Sequence, residues 1–155
     1  MATPASISPT IVETLYHDAI DLAEEARSVF DLSGRLDAVS ANAGLSRVAL
    51  SCEALRTTTR MMHAIAWLLN HRAYFAGELS EFQLRRHGRL PPAQPESDPE
   101  QLAMLDREVR ELIGRTRAFY ARIARLDNAW RESYTMHPSA IHRLRERLGN
   151  AVSGL

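Results

Sequence analysis

A chain of 155 residues, 45% hydrophobic and 25% charged, is most simply one folded domain with enough length for a real core. Formal net charge is zero and all 19 basic residues are arginine, so the chain as a whole lacks the electrostatic footprint of a nucleic-acid binder. The single cysteine, Cys52, excludes an intrachain disulfide and reads as a small packed residue.

The N-terminus, MATPASISPT, has neither a basic segment nor an apolar run. No signal peptide is expected, and a reducing cytoplasm is the expected compartment. The first helix is expected over about residues 9–32. Pro9 suits a first helical position, and Thr10 with Glu13 fits a capping box. Val12, Leu15, Ala19, Leu22, Ala26 and Val29 repeat in three- and four-residue steps, and Ser33-Gly34 is the expected end. The second helix, about 45–76, is apolar nearly all round at its centre. Val48, Leu55, Thr58, Met62, Ile65, Leu69 and Ala76 mark one face, expected to pack inside the chain. Met61, Ala64, Trp67, Leu68 and Tyr74 lie on other sides. This run is shorter than the ~20 residues of a membrane span, so the surplus is expected to meet a second copy of the chain.

Gly77 is the expected terminator of that helix, and Ser80 with Gln83 fits the cap of a short helix ending at Gly88. Residues 88–98 carry four prolines counted through to Pro99 and read as a linker. Asp98-Pro99 opens a third helix, about 99–134, whose seam runs from Leu102 through Leu105, Val109, Leu112, Thr116, Phe119, Ile123 and Leu126 to Trp130 without a break. Pro138 ends it. Ser139 caps a short tail helix, within residues 136–155, with Ile141, Leu144 and Leu148 on one side. No strand pattern or internal repeat is present. The expected fold is therefore all-α: one antiparallel three-helix bundle, with a short helix in the 80–88 connection and a short tail helix. The first and third helices are expected to run parallel, both against the second. That sets the acidic residues 1–31 beside the arginine-rich residues 113–131.

Chemistry is sparse. Glu13 and His17 have the wrong spacing for a di-iron motif, and His63 and His71 lack the acids or cysteines that complete a metal set. No phosphate loop or nucleophile elbow occurs. Neither a catalytic residue, a metal nor a cofactor is expected. Two other function classes stay open. One is a helical nucleic-acid-binding regulator using the arginine-rich face of the third helix on phosphates, although neutral net charge makes nucleic acid an unfavoured partner. A metal-binding bundle is the other. Arg56, Arg60, His63, Trp67 and Tyr74 fall on adjacent turns. They read either as arginine stems covering the core or as a protein-binding strip.

The segment Leu55–Ser80, LRTTTRMMHAIAWLLNHRAYFAGELS, resembles the RcdA family, the regulators of CtrA degradation. The order and lengths of the other helices are similar to that family's layout. The resemblance implies a dimeric, non-catalytic three-helix bundle. Its members act as adaptors that, with the response-regulator-like protein CpdR, hold cargo proteins near the ClpXP protease during bacterial cell-cycle progression. On this reading Met61, Ala64, Trp67, Leu68 and Tyr74 form the dimer contact. Arg56, Arg60, His63, Ile141, Leu144 and Leu148 meet partners.

Overall fold

The computed structural model describes residues 7–37, 43–135 and 140–153, and among these every element is helical. The helices are α1 (Pro9–Asp37), α2 (Ala43–Phe75), α3 (Glu81–His87), α4 (Pro99–Ala103), α5 (Arg107–Thr135) and α6 (Ala140–Ser153). Pro138 and Ser139, read as a break and a cap, and the side chain of Ile141 lie outside the described residues.

Local chemistry explains most of the ends. Ser8 caps α1 by accepting from the Ile11 N–H at 3.2 Å, with Pro9 at the first position where its missing N–H costs nothing. The expected Thr10–Glu13 box does not form, because Ser8 is the cap and Thr10 already lies inside the helix, and the Glu13 carboxylate reaches Arg72 at 2.7 Å. α1 also runs past Ser33-Gly34 to Asp37. Ser33 is buried there, and its hydroxyl donates to Asp106 at 3.3 Å. α2 stops where expected. Gly77 takes φ +78, and the Glu78 N–H reaches back to the Ala73 carbonyl at 2.9 Å. That left-handed turn is cheap only for glycine. Ser80 and Gln83 form the full capping box of α3, and Asp98 caps α4 through the Glu100 N–H.

The third long helix departs from expectation. It is interrupted at Met104–Asp106, so that α4 and α5 are separate. The Asp106 carbonyl accepts from the Arg110 N–H, placing this strong capping residue at a fresh helix start. The break turns Leu105 inward against Ala49 and Leu50.

Topology departs as well. α1 and α2 are antiparallel, with Arg72 beside Glu13 near one end and Gly34 beside Leu50 near the other. α5 is parallel to α2, since Arg60 meets Thr116 and Trp67 meets Asp127. It is antiparallel to α1, since Glu25 meets Arg115 and Ser33 meets Asp106. The expected antiparallel arrangement, with the first and third helices parallel, is thus corrected. The cause is the linker. It leaves Leu90 beside Asp127, passes Pro91 beside Tyr120 and Glu96 beside Arg117, and ends with Ser97 beside Glu53. About ten extended residues span about 35 Å, the length of about 23 helical residues. The chain therefore returns along the bundle before α4 begins.

The main core holds Val12, Leu15 and Ala19 of α1, Met61, Ala64, Trp67 and Leu68 of α2, and Tyr120 and Ile123 of α5. A second cluster, Ala49, Leu50, Leu105, Val109 and Ile113, closes the end where α2 and α5 both begin. Among the described residues no helix is long and apolar enough to cross a membrane.

Candidate functional site

The packing assigns the faces of α2 in the opposite sense to the sequence expectation. Met61, Ala64, Trp67 and Leu68, expected on a dimer surface, are at most 3% exposed and filled around by the chain's own helices. They cannot also face a second copy. Tyr74 is half-buried near the end of α2, its ring 5.2 Å from Phe75. The face expected inside is the one left open. Val48, Leu55, Met62 and Leu69 are 57%, 69%, 64% and 45% exposed. They recur every seven residues, and between them the outward positions are Ser51, Thr58 and Ala66. Along about 32 Å of helix this seam carries no charge. A hollow of about 360 Å³ beside it is lined by Ala26, Phe30, Thr58, Met62 and Ile65.

Trp67 faces inward because its indole N–H finds a partner there. It donates to Asp127 Oδ1 at 3.1 Å. Asp127, itself 2% exposed, also accepts from the Leu90 backbone N–H at 3.2 Å and from Arg131 Nε at 3.1 Å. One carboxylate thus joins α2, the linker and α5. Its ionised form has acceptors enough for all three donors. His71 packs on Trp67 at 3.9 Å and against Trp130 at 5.3 Å between ring centroids. Burial pulls its imidazole down to about 4, against the opposing pull of Asp127.

At the other side of α2 a groove of about 520 Å³ opens between α2, the linker and α5. Arg60 and His63 come from α2, Ala93 and Gln94 from the linker, and Arg117, Arg125 and a floor of Ala118, Ala121 and Ala124 from α5. Arg60 is 7% exposed, yet among the described residues its Nη1 donates to a hydroxyl, Thr116 Oγ1 at 3.0 Å. Burial holds its guanidinium below the ordinary arginine value, and Arg117 pushes the same way, with Glu53 opposing both. Beneath it Glu53 is fully buried. Its Oε2 accepts from Ser97 at 2.9 Å, while Arg56 lies 3.6 Å from Oε1. Among the described residues Arg117 pairs with the exposed Glu96, at 3.4 Å. The Gln94 side-chain oxygen is buried with no hydrogen-bond partner.

Of the expected partner-binding residues, Arg60 and His63 therefore share the groove, and Arg56 sits behind it on Glu53. Leu144 and Leu148 are elsewhere, exposed on α6 at 60% and 58%. Among the described residues no group of three His, Cys, Asp or Glu side chains gathers. Cys52 is half-buried and free.

Residues 3–152 match the family described as "Protein of unknown function (DUF1465)". The chain belongs to that family. No curated protein and no solved structure matches it. In this family member the functional argument therefore rests on the surfaces themselves. Sequence reasoning missed Asp127 as a buried junction, and Arg117, Arg125 and Gln94 as parts of one groove. For Asp127 a signal existed: Thr116, Tyr120, Ile123, Asp127 and Trp130 step by three and four, so an acid stands on an apolar face. Nothing local could reveal the groove, because its linker wall arrives only through the returning chain.

Proposed function

We propose that this protein is a non-catalytic adaptor, a cytoplasmic homodimer that holds cargo proteins at a ClpXP-type protease together with a CpdR-type priming protein. The observation that carries the reading is the uncharged seam of α2, Val48–Leu55–Met62–Leu69, which is exposed over most of the helix. A face of that length and spacing suits a second helix packed in coiled-coil fashion. The Leu55–Ser80 resemblance supports the same reading, and proteins of the RcdA type fall within the matched family. α6 supplies a second protein-facing surface, with Leu144, Leu148 and Val152 exposed.

The mechanism is tethering. Two weak contacts, one to the primed protease and one to cargo, raise the local cargo concentration without a chemical step. Specificity then resides in which acidic, basic or apolar surface each partner presents. A protein partner is favoured over nucleic acid because formal net charge is zero and Arg72, Arg85, Arg107 and Arg115 are already matched to carboxylates. A neutral chain gains little from counterion release on a phosphate backbone.

The decisive experiment is reconstituted degradation. Adding this protein to ClpXP and the priming protein speeds loss of at least one cognate cargo and leaves unrelated tagged substrates unaffected. Equal cargo half-lives in a deletion strain and its parent, for every protein detected, would sink the reading.

A further inference from the structure

We infer that the groove between α2, the linker and α5 is a docking site for an acidic, extended segment of a partner protein. This rests on the adaptor reading and names the chemistry of one partner. Three guanidinium groups, Arg60, Arg117 and Arg125, border one cavity of about 520 Å³. The carboxylates near them do not balance them. Glu53 is buried behind Arg60 and committed to Ser97, and Glu96 meets Arg117 from solvent at 3.4 Å. Holding a guanidinium 7% exposed with a hydroxyl as its hydrogen-bond partner is unfavourable. A carboxylate entering the groove relieves that cost through charge-assisted, fork-shaped contacts.

The linker decides for a peptide over a free phosphate. It forms one wall in extended conformation, held straight by Pro91, Pro92 and Pro95 and pinned by Tyr120 on the Pro91 carbonyl. Among the described residues neither Ala93 nor Gln94 makes a backbone–backbone hydrogen bond, and the Gln94 side-chain oxygen is also without a partner. A second extended chain laid alongside satisfies these groups as an added strand does at a sheet edge. The alanine floor of α5 leaves room for its backbone. Arg117 and Arg125 are eight residues apart on one helix, about 12 Å. Carboxylates four residues apart on an extended chain are separated by about 13 Å. A nucleotide would want an open aromatic face, but Tyr120 is buried with its hydroxyl engaged.

The test uses the full chain and a fluorescein-labelled peptide alternating glutamate with alanine, with the glutamine–alanine peptide as control. Anisotropy shows saturable binding of the acidic peptide only. The double substitution Arg117→Gln with Arg125→Gln weakens it by about tenfold, with the melting temperature unchanged because both side chains are solvent-facing. Ala93→Pro, which removes one backbone N–H and touches no arginine, weakens it as well. Equal binding of the glutamine peptide overturns the proposal, as does affinity untouched by either variant. So does tripolyphosphate that saturates the arginine site while the acidic peptide does not bind. The adaptor reading fails separately: a peptide that docks as described beside unchanged cargo degradation refutes delivery and leaves the groove assignment standing.

Discussion

His71 stands between two indoles with its Nε2 unpartnered, so the neutral imidazole is the form the fold accepts. Its folded value near 4 lies below the ordinary 6.5. Between those two values the unfolded chain binds a proton that the folded chain refuses. Stability from this site is therefore fully present above about pH 6.5 and is lost as pH falls toward 4, by up to about 3 kcal/mol. Urea unfolding of the wild type and of His71→Leu across that window should diverge, the variant showing the flatter profile. Asp127 is the second residue whose role exceeds its size. Asp127→Ala removes the acceptor shared by Trp67, Leu90 and Arg131, leaving buried donors unpaired. A loss of about 3 kcal/mol is expected from chemical denaturation. A loss below about 1 kcal/mol would show that water replaces the carboxylate.

At the scale of the element, α2 decides what the protein presents. Its apolar residues surround the helix, so periodicity identified a helix but could not say which side turns inward. The answer depended on a distant residue, Asp127, which gives Trp67 a buried partner. It is the reason the helix positions were legible and the faces were not. The caps at Ser80, Asp98 and Gly77 were legible because each acts within a few residues. On the proposed dimer reading, Met62→Glu, on the open seam, should shift light scattering from dimer to monomer with little change in melting temperature. Trp67→Arg, in the core, should instead abolish the cooperative transition. If Met62→Glu melts and Trp67→Arg merely dissociates, the two faces have been assigned the wrong way round. α6 is amphipathic yet shows Leu144 and Leu148 to solvent. Removing residues 136–155 should leave the melting temperature within a few degrees (roughly the effect of 1 kcal/mol or less) and impair cargo delivery.

For the whole molecule, the all-helical class was legible from spacing alone, whereas the direction of α5 was not. Short connections imply antiparallel neighbours, and the proline-rich linker read as a connection of unspecified path. Its extended course became visible only through contacts spread along its length, from Leu90 to Ser97. The charge argument survives in reduced form. Glu25 pairs with Arg115 as expected between α1 and α5, but Glu13 pairs with Arg72 on α2. Such exposed pairs contribute roughly 0.2–1 kcal/mol each, too little to choose a topology against burial of the apolar faces.

The parallel course of α2 and α5 also dictates how this chain can assemble. Between the antiparallel α1 and α2, paired positions draw closer in sequence from Glu13–Arg72 to Gly34–Leu50, so contacts can spread like a zip from the latter end. Between α2 and α5 the separation hardly changes, 56 positions for Arg60–Thr116 and 60 for Trp67–Asp127. No short loop exists from which that interface can start, and each contact carries nearly the same closure entropy. α5 must then join a preformed α1–α2 pair late and nearly all at once. Pulse-labelled hydrogen exchange during refolding should protect amides of α1 and α2 ahead of those in α5. Once Trp67 meets Asp127, the remaining α5 amides should follow together.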